Sequence, residues 1–380
     1  MPQSIRRWTL EHVCPYWCER IVDPRGGYFE ALDERGEAVR SPAKTALNQA
    51  RLTYVLSHAS ILGGSASLRR AADHGFDFLQ RSSAINGRFE GWHRSTDNQG
   101  AILDSARDTY DHAFVIFAMA WYHRASPSPE ALRLAEQAFT FLDDNLRDAV
   151  HGGFFEEYPS IDKLPRRQNP HMHLLEAMLA MHAATGEKIW LERAAGIIEL
   201  FKDVFFDRKT GSLAEFFDAK WNVAQGSPGL QREPGHQFEW VWLLGQFASQ
   251  AGANDFEKYA EALFSFGTKH GIDPAGRLRG IVIDAVSAAG TVLADSKLLW
   301  PQTEYIKACI ARFESTQEAI YKDAAFAHLH LVRTHFFRDD GATWINQVSR
   351  DGIPMVSETP SRILYHLFLA AAELMRIEES

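Results

Sequence analysis

The sequence predicts an all-α fold, an (α/α)6 barrel of six helical hairpins with short β-hairpins at one end. Three observations predict it. A Gly-plus-aromatic motif recurs six times, strongly apolar and amphipathic helical stretches alternate between the copies, and no Ser/Pro/Gly-rich linker breaks the period over 380 residues. One continuous domain, residues 1–380, is therefore expected.

The motif copies begin at Gly26 (GGYFE), Gly87 (GRFEGW), Gly152 (GGFFEEY), Gly211 (GSLAEFF), Gly276 (GRLRGIV) and Gly341 (GATWINQ), in steps of about 61, 65, 59, 65 and 65 residues. Glycine suits a tight turn, and the alternating apolar residues suit a short hairpin. After each copy comes a polar turn, such as LDERGEA or VSRDGIP, and then a long apolar stretch.

Those stretches read as buried helices. They are SPAKTALNQARLTYVLSHASIL, RDTYDHAFVIFAMAWYHRA, NPHMHLLEAMLAMHAATG, PGHQFEWVWLLGQFASQAG, SKLLWPQTEYIKACIARF and PSRILYHLFLAAAELMRIEE, apolar on nearly all sides. Between them lie segments with one charged face, among them ASLRRAADHGFDFLQRS, SPEALRLAEQAFTFLDDNL and NDFEKYAEALFSFGTKHG. SIRRWTLEHVCPYWCERIV at the start completes the set of about twelve. An open solenoid would need polar end caps, and RILYHLFLAAAELM is too apolar for one.

A net charge of -9 without a basic cluster excludes nucleic acid as a partner. No apolar run reaches membrane-spanning length free of charge or His, so no membrane partner is expected. MPQSIRRWTLEHV lacks the apolar stretch of a signal peptide, so a cytoplasmic location is expected. Cys14, Cys18 and Cys309 are too few for a disulfide framework and read as reduced core thiols.

Polar residues at the starts of the apolar helices converge on the axis of such a ring. They include Asn48 and Arg51, then Tyr110, Asp111 and His112, then Asn169, His171, His173 and Glu176. His236 and Glu239, Trp300 and Glu304, and Arg362, Tyr365 and His366 complete the set. Buried ionisable groups are costly unless paired or functional, so a set repeated at corresponding positions reads as a pocket. His236 with Glu239, and His173 with Glu176, share a helix face at i, i+3, and a carboxylate beside an imidazole raises its basicity. Such a pair suits a general base for a weakly acidic carbon-bound proton. The alternative is a packing histidine satisfied by its neighbour. His366 has no sequence-local carboxylate. His171 and His173 point in different directions, so at most one faces the cavity. The hairpin aromatics read mostly as packing. Trp300 is the better sugar platform, and Arg51 is a donor fork for sugar hydroxyls. With no H-E-x-x-H or H-x-x-E-H spacing, neither a metal nor another cofactor is expected.

The segments NQARLTYVLSHA, YDHAFVIFAMA, NPHMHLLEAMLA, EPGHQFEWVWLL, WPQTEYIKA and LYHLFLA, in this order, resemble the N-acylglucosamine 2-epimerase family. They are most similar to its mannose isomerase branch of aldose–ketose isomerases. The resemblance implies an (α/α)6 barrel, His236 and His366 as the acid/base pair acting at C2 of an open-chain sugar, and His173 assisting ring opening. It implies that Arg51 and Glu239 bind the reacting end of the sugar or support a histidine, with Asp111, Trp300 and Glu304 as further matches; substrate contacts are expected also for Asn48, Tyr110, Asn169 and Glu176, from their places at the helix starts. The expected reaction interconverts D-mannose, with D-lyxose as a second candidate, and the matching ketose through an enediol. A 2-epimerase of mannose/glucose, cellobiose or N-acylglucosamine is the alternative. The expected partner is a small-molecule monosaccharide, and a homodimer is allowed. A glycoside hydrolase would need two carboxylates flanking the bond, and a binding module would need neither His236 nor His366.

Overall fold

The computed structural model describes residues 4–85, 87–253 and 255–378. The helix limits expected at 254 and 379, and the chain ends 1–3 and 380, lie outside them. Among the described residues twelve helices reach eight residues or more. They are α1 (Cys14–Ile21), α2 (Ala46–Ile61), α3 (Ala66–Ser82), α4 (Thr109–Ala125), α5 (Pro129–Leu146) and α6 (Asn169–Thr185). Then come α7 (Lys188–Leu200), α8 (Pro234–Ala251), α9 (Glu257–Gly271), α10 (Trp300–Thr316), α11 (Ala319–His335) and α12 (Leu364–Glu378). None of the described helices is long and apolar enough to cross a membrane.

Local chemistry sets many of the boundaries. Thr45, Asp108 and Ser128 cap α2, α4 and α5 by accepting the backbone N–H three residues on. Prolines open α5 and α8, where a missing N–H is harmless. Gly186 and Gly252 stop α6 and α8 at φ 72° and 64°, a conformation glycine adopts without strain.

Even-numbered helices form an inner set. Each packs on the next, α2 on α4, α4 on α6, α6 on α8, α8 on α10 and α10 on α12, and α12 returns to α2. The odd-numbered helices α3 to α11 each back the inner helix before them. The N-terminal segment fills the last gap. Its Trp17 stacks on Trp344 at 4.5 Å, and Trp8 meets Phe337 edge-on at 5.2 Å. Burying an aromatic of that size contributes about 2–3 kcal/mol.

All six motif glycines have positive φ, between 65° and 142°, as tight turns require. A local hairpin surrounds each one. Bridges join Val22 to Tyr28, Arg147 to Phe154, Ile272 to Val282 and Phe337 to Trp344. Short strand pairs do the same at 84–89 and 206–213. The structure adds a layer that local patterning does not reveal. The strand before each inner helix pairs antiparallel with the motif strand of the next repeat. Lys44–Thr45 pairs with Ser95–Thr96, Arg107–Asp108 with Glu157–Tyr158, and Arg166–Arg167 with Phe216–Phe217. Gln231–Arg232 pairs with Val286–Ser287, and Lys297–Leu298 with Gln347–Val348. Thr359–Pro360 then pairs with Ala31–Leu32 and closes the circle.

Two further repeated devices fix the hairpins. An inner-helix side chain accepts a motif backbone N–H: Gln49 from Tyr28 (2.7 Å), His112 from Trp92 (3.2 Å), His171 from Phe154 (2.8 Å), Gln237 from Leu213 (2.7 Å) and Gln302 from Val282 (2.8 Å). His112 and His171 are therefore structural, both ring nitrogens being committed to backbone. A cation in the strand before the inner helix meets an Asp just before the motif glycine: Lys44–Asp23, Arg166–Asp148, Arg232–Asp207 and Lys297–Asp273, at 2.6–3.5 Å.

Lys297 is fully buried and Asp273 nearly so. Lys297→Met, which leaves that carboxylate without its cation, is expected to lower unfolding free energy by about 3–5 kcal/mol in urea titrations. A loss under about 1 kcal/mol would mean that water, not the protein, solvates the pair.

Candidate active site

The starts of the inner helices bring their polar residues to the hairpin end of the ring. There they line a cavity of about 350 Å³. Arg51 (α2), Tyr110 (α4), Asn169 and His173 (α6), His236 and Glu239 (α8), Trp300 (α10) and His366 (α12) all face it. A larger cavity, about 1230 Å³, opens among the C-terminal ends of the inner helices and holds none of the three histidines. We place the site by convergence of titratable groups, not by size.

The three histidines share one arrangement. Each presents Nδ1 to a carboxylate: His173 to Glu176 at 3.1 Å, His236 to Glu215 at 2.9 Å, and His366 to Glu304 at 2.8 Å. Nε2 is thus the nitrogen left for a ligand. Both His236 and His366 neighbour the Trp300 indole, at ring-centroid distances of 4.9 and 5.7 Å. Gly235 makes room for that indole, because a Cβ there would sit 2.5 Å from Trp300 Cη2.

The expected pairing of His236 with Glu239 is corrected. His236 turns instead to Glu215 and to Glu233, whose carboxylate lies 3.3 Å away. The i, i+3 rule identifies who can meet on one helix, but here a carboxylate from the neighbouring hairpin reaches the ring first. Glu215 is held by backbone too, accepting the Glu233 N–H at 3.1 Å, and Gln168 donates to it at 2.9 Å. His366, which has no carboxylate nearby in sequence, receives Glu304 from the adjacent inner helix.

Four residues expected to touch substrate do not line this cavity. Asn48 ties Ser361 to the Phe29 carbonyl, at 2.8 and 3.2 Å. Glu304 is spent on His366 and on Lys307, 2.6 Å away. Glu176 accepts the Tyr365 hydroxyl at 2.6 Å as well as facing His173. Asp111 is buried near Asp108; burial and that neighbouring charge hold its carboxyl well above the usual range. Sequence reasoning in turn missed Glu215, Glu233, Arg167 and Asn346, which do line the cavity. A signal for Glu215 existed: Glu30, Glu156 and Glu215 stand four residues after their motif glycines. Glu30 and Glu156 likewise accept a backbone N–H, from Thr45 and Arg167 respectively.

Arg51 is buried without a carboxylate partner among the described residues. Its guanidinium lies over Phe114 and Tyr365, 4.1 and 4.8 Å from the ring centres, and donates to Tyr110 Oη at 2.8 Å. Glu239 is also buried, with neither oxygen hydrogen-bonded. A donor fork and a carboxyl group, both under-satisfied and both on the cavity wall, are ready-made contacts for a polyhydroxylated ligand.

Burial opposes charge on His236, but the carboxylates of Glu215 and Glu233 outweigh it and raise this imidazole to about 10. His366 goes the other way: burial, then the charges of Arg51 and Lys307, hold it well below the ordinary value. Burial also lowers His173 to about 4, against the pull of Glu176. Burial and the charge of Glu304 raise Glu239 well above the usual carboxyl range. Two imidazoles in one cavity therefore rest in opposite states at neutral pH, His236 as acid and His366 as free base. Three groups could bring three ligand atoms to a metal ion: Glu215, Glu233 and His236; His173, Glu176 and Glu239; and Glu239, Glu304 and His366. In the last, Glu304 already faces the Lys307 ammonium.

His236 gives a signed prediction. Its folded-state value of about 10 exceeds the ordinary 6.5, so its contribution to stability is complete below pH 6.5 and is lost as pH rises through 10. Glu215→Gln is expected to bring the His236 titration, read by histidine NMR, down toward neutrality and to flatten that alkaline loss of unfolding free energy. A wild-type ring that titrates near 6.5 would remove the charge assignment.

The family model for N-acylglucosamine 2-epimerase (GlcNAc 2-epimerase) matches residues 27–370. The chain is 32% identical to a mannose-6-phosphate isomerase of Rhizobium meliloti (strain 1021), over 97% of this chain and 95% of the relative. It is 23% identical to a cellobiose 2-epimerase of Ruminococcus albus, over 93% and 92%. The crystal structure of a D-mannose isomerase superposes with a TM-score of 0.86 at 21% identity, covering 99% of this chain and all of that one. With the hairpin-end cavity and its histidines in place, the chain belongs to the N-acylglucosamine 2-epimerase family.

Proposed function

We propose that the protein is an aldose–ketose isomerase converting D-mannose to D-fructose within an (α/α)6 barrel, by proton transfer at C2. One observation carries the reading: in a single cavity His366 rests as a free base and His236 as an acid, each anchored at Nδ1 by its own carboxylate. The return of α12 to α2, and of Thr359–Pro360 to Ala31–Leu32, supports one closed domain. Buried free Cys14, Cys18 and Cys309 support a reducing, cytoplasmic setting.

His173, beside the cavity, assists opening of the sugar ring. His366 Nε2 then takes the C2 proton of the open-chain aldose. The C2–H electron pair forms the C1=C2 bond, and the carbonyl π pair moves to O1. His236 Nε2–H protonates O1, while Arg51 stabilises the negative charge as it develops. From this enediol, return of the carbon-bound proton to C1 with loss of the O2–H proton gives the ketose. Return to the opposite face of C2 gives the 2-epimer. Trp300 packs against the sugar's C–H face, and Glu239, held protonated, donates to a hydroxyl.

The second reading is a 2-epimerase. It is favoured by the charge pair itself, since an acid and a base on one cavity can serve opposite faces of one carbon, and by the epimerase name of the family.

Incubation in deuterated water with mannose, glucose, fructose and cellobiose separates the two. Fructose from mannose, with deuterium at C1, is the expected result. Glucose from mannose with deuterium at C2 would select the epimerase. His236→Asn and His366→Asn are each expected to lower kcat about 10²–10⁴-fold in folded protein. Turnover that survives both changes would end the proposal, and release of sugar from chromogenic glycosides would point to a hydrolase.

A further inference from the structure

Lys307 lies one turn after Glu304 on α10, and its side chain is fully buried beneath the cavity. Its ammonium stands 2.6 Å from Glu304 Oε2, 3.9 Å from Glu239 Oε1, and 4.3 Å from the centre of the Trp242 ring. The other oxygen of Glu304 faces His366 Nδ1 at 2.8 Å. A chain of three groups thus runs from the interior to the cavity: ammonium, carboxylate, imidazole.

A buried ammonium is expensive, and an apolar residue of similar volume would fill the same space with little or no loss of stability. What an apolar residue could not do is anchor one Glu304 oxygen while the other faces His366 Nδ1. A Glu304 whose second oxygen has no anchor is free to turn away from Nδ1, and it then no longer specifies which ring nitrogen carries hydrogen. A ring that carries its hydrogen on Nε2 lacks the lone pair that is needed there. Burial works against charge on Lys307 as well, and Glu304, Glu239 and Glu176 together outweigh it, so the cation persists.

We propose that Lys307 is the positioning residue that fixes the tautomer of His366. Its ammonium anchors one oxygen of Glu304, the other accepts the Nδ1 hydrogen, and the Nε2 lone pair faces the cavity. The kinetic consequence rests on the isomerase reading above; the tautomer does not.

Lys307→Met and Lys307→Gln in the full chain, labelled with ¹⁵N-histidine, provide the test, with Lys307→Arg retaining the charge. Long-range ¹H–¹⁵N spectra should show His366 as the Nδ1–H form in wild type and Lys307→Arg, and as a mixture in the uncharged variants. Their kcat is expected to fall about 10- to 100-fold with KM changed less than about threefold. The double variant Lys307→Met/Glu304→Gln should be no slower than Glu304→Gln alone, since both act through one path. A folded Met or Gln variant that keeps the Nδ1–H form, or a double variant whose losses multiply, would overturn the proposal. If wild type turns over no sugar, the isomerase reading falls, and the spectra still decide the role of Lys307.

Discussion

Closure of the ring is the constraint on which the rest of the structure depends. The last inner strand pairs with the first motif strand, and Ser361 bonds both Asn48 and the Phe29 carbonyl. This places α12 against α2 and brings Arg362 to Arg51, 311 residues away in sequence. Without it, His366 would have no fixed relation to His236. Loop entropy grows only slowly with length, so one such closure over the whole chain is affordable when many inter-repeat contacts already align the ends.

A six-fold scaffold ordinarily makes six similar environments. Here the corresponding positions have been assigned different work. One position on the inner helices pins its hairpin with Gln49, His112, His171, Gln237 or Gln302. The carboxylate four residues after the motif glycine holds the following strand in three repeats. In the fourth repeat Glu215 keeps that structural bond and also captures His236. The site is thus built by adding one contact to a bond the fold already requires, which makes it rigid at small extra cost.

The same side chain does opposite work at two places because of what surrounds it. His236 has two carboxylates against its ring and is cationic. His366 has one, and that one is shared with the Lys307 ammonium, while Arg51 adds a second positive charge nearby. Burial is common to both and favours the neutral ring. The excess of one carboxylate or one cation decides the sign.

Much of the fold was legible in the sequence because it repeats. Six glycines at near-even steps and alternating apolar and amphipathic helices marked the hairpins, the helix order and the end where polar residues gather. His173, His236 and His366 were legible as ionisable groups at the starts of otherwise apolar helices. The sequence by itself determined which helices form and that His173, His236 and His366 stand at the cavity end, because periodicity and helix starts are local properties. Only the tertiary structure decided who pairs with whom. Glu215 reaches His236 across a hairpin, Glu304 reaches His366 across two helices, and Lys307 stands behind both Glu304 and Glu239. Apart from Lys307 and Glu304, one turn apart on α10, these partners are tens of residues apart, and Coulomb attraction acts on distance in space, which no spacing rule along one helix contains.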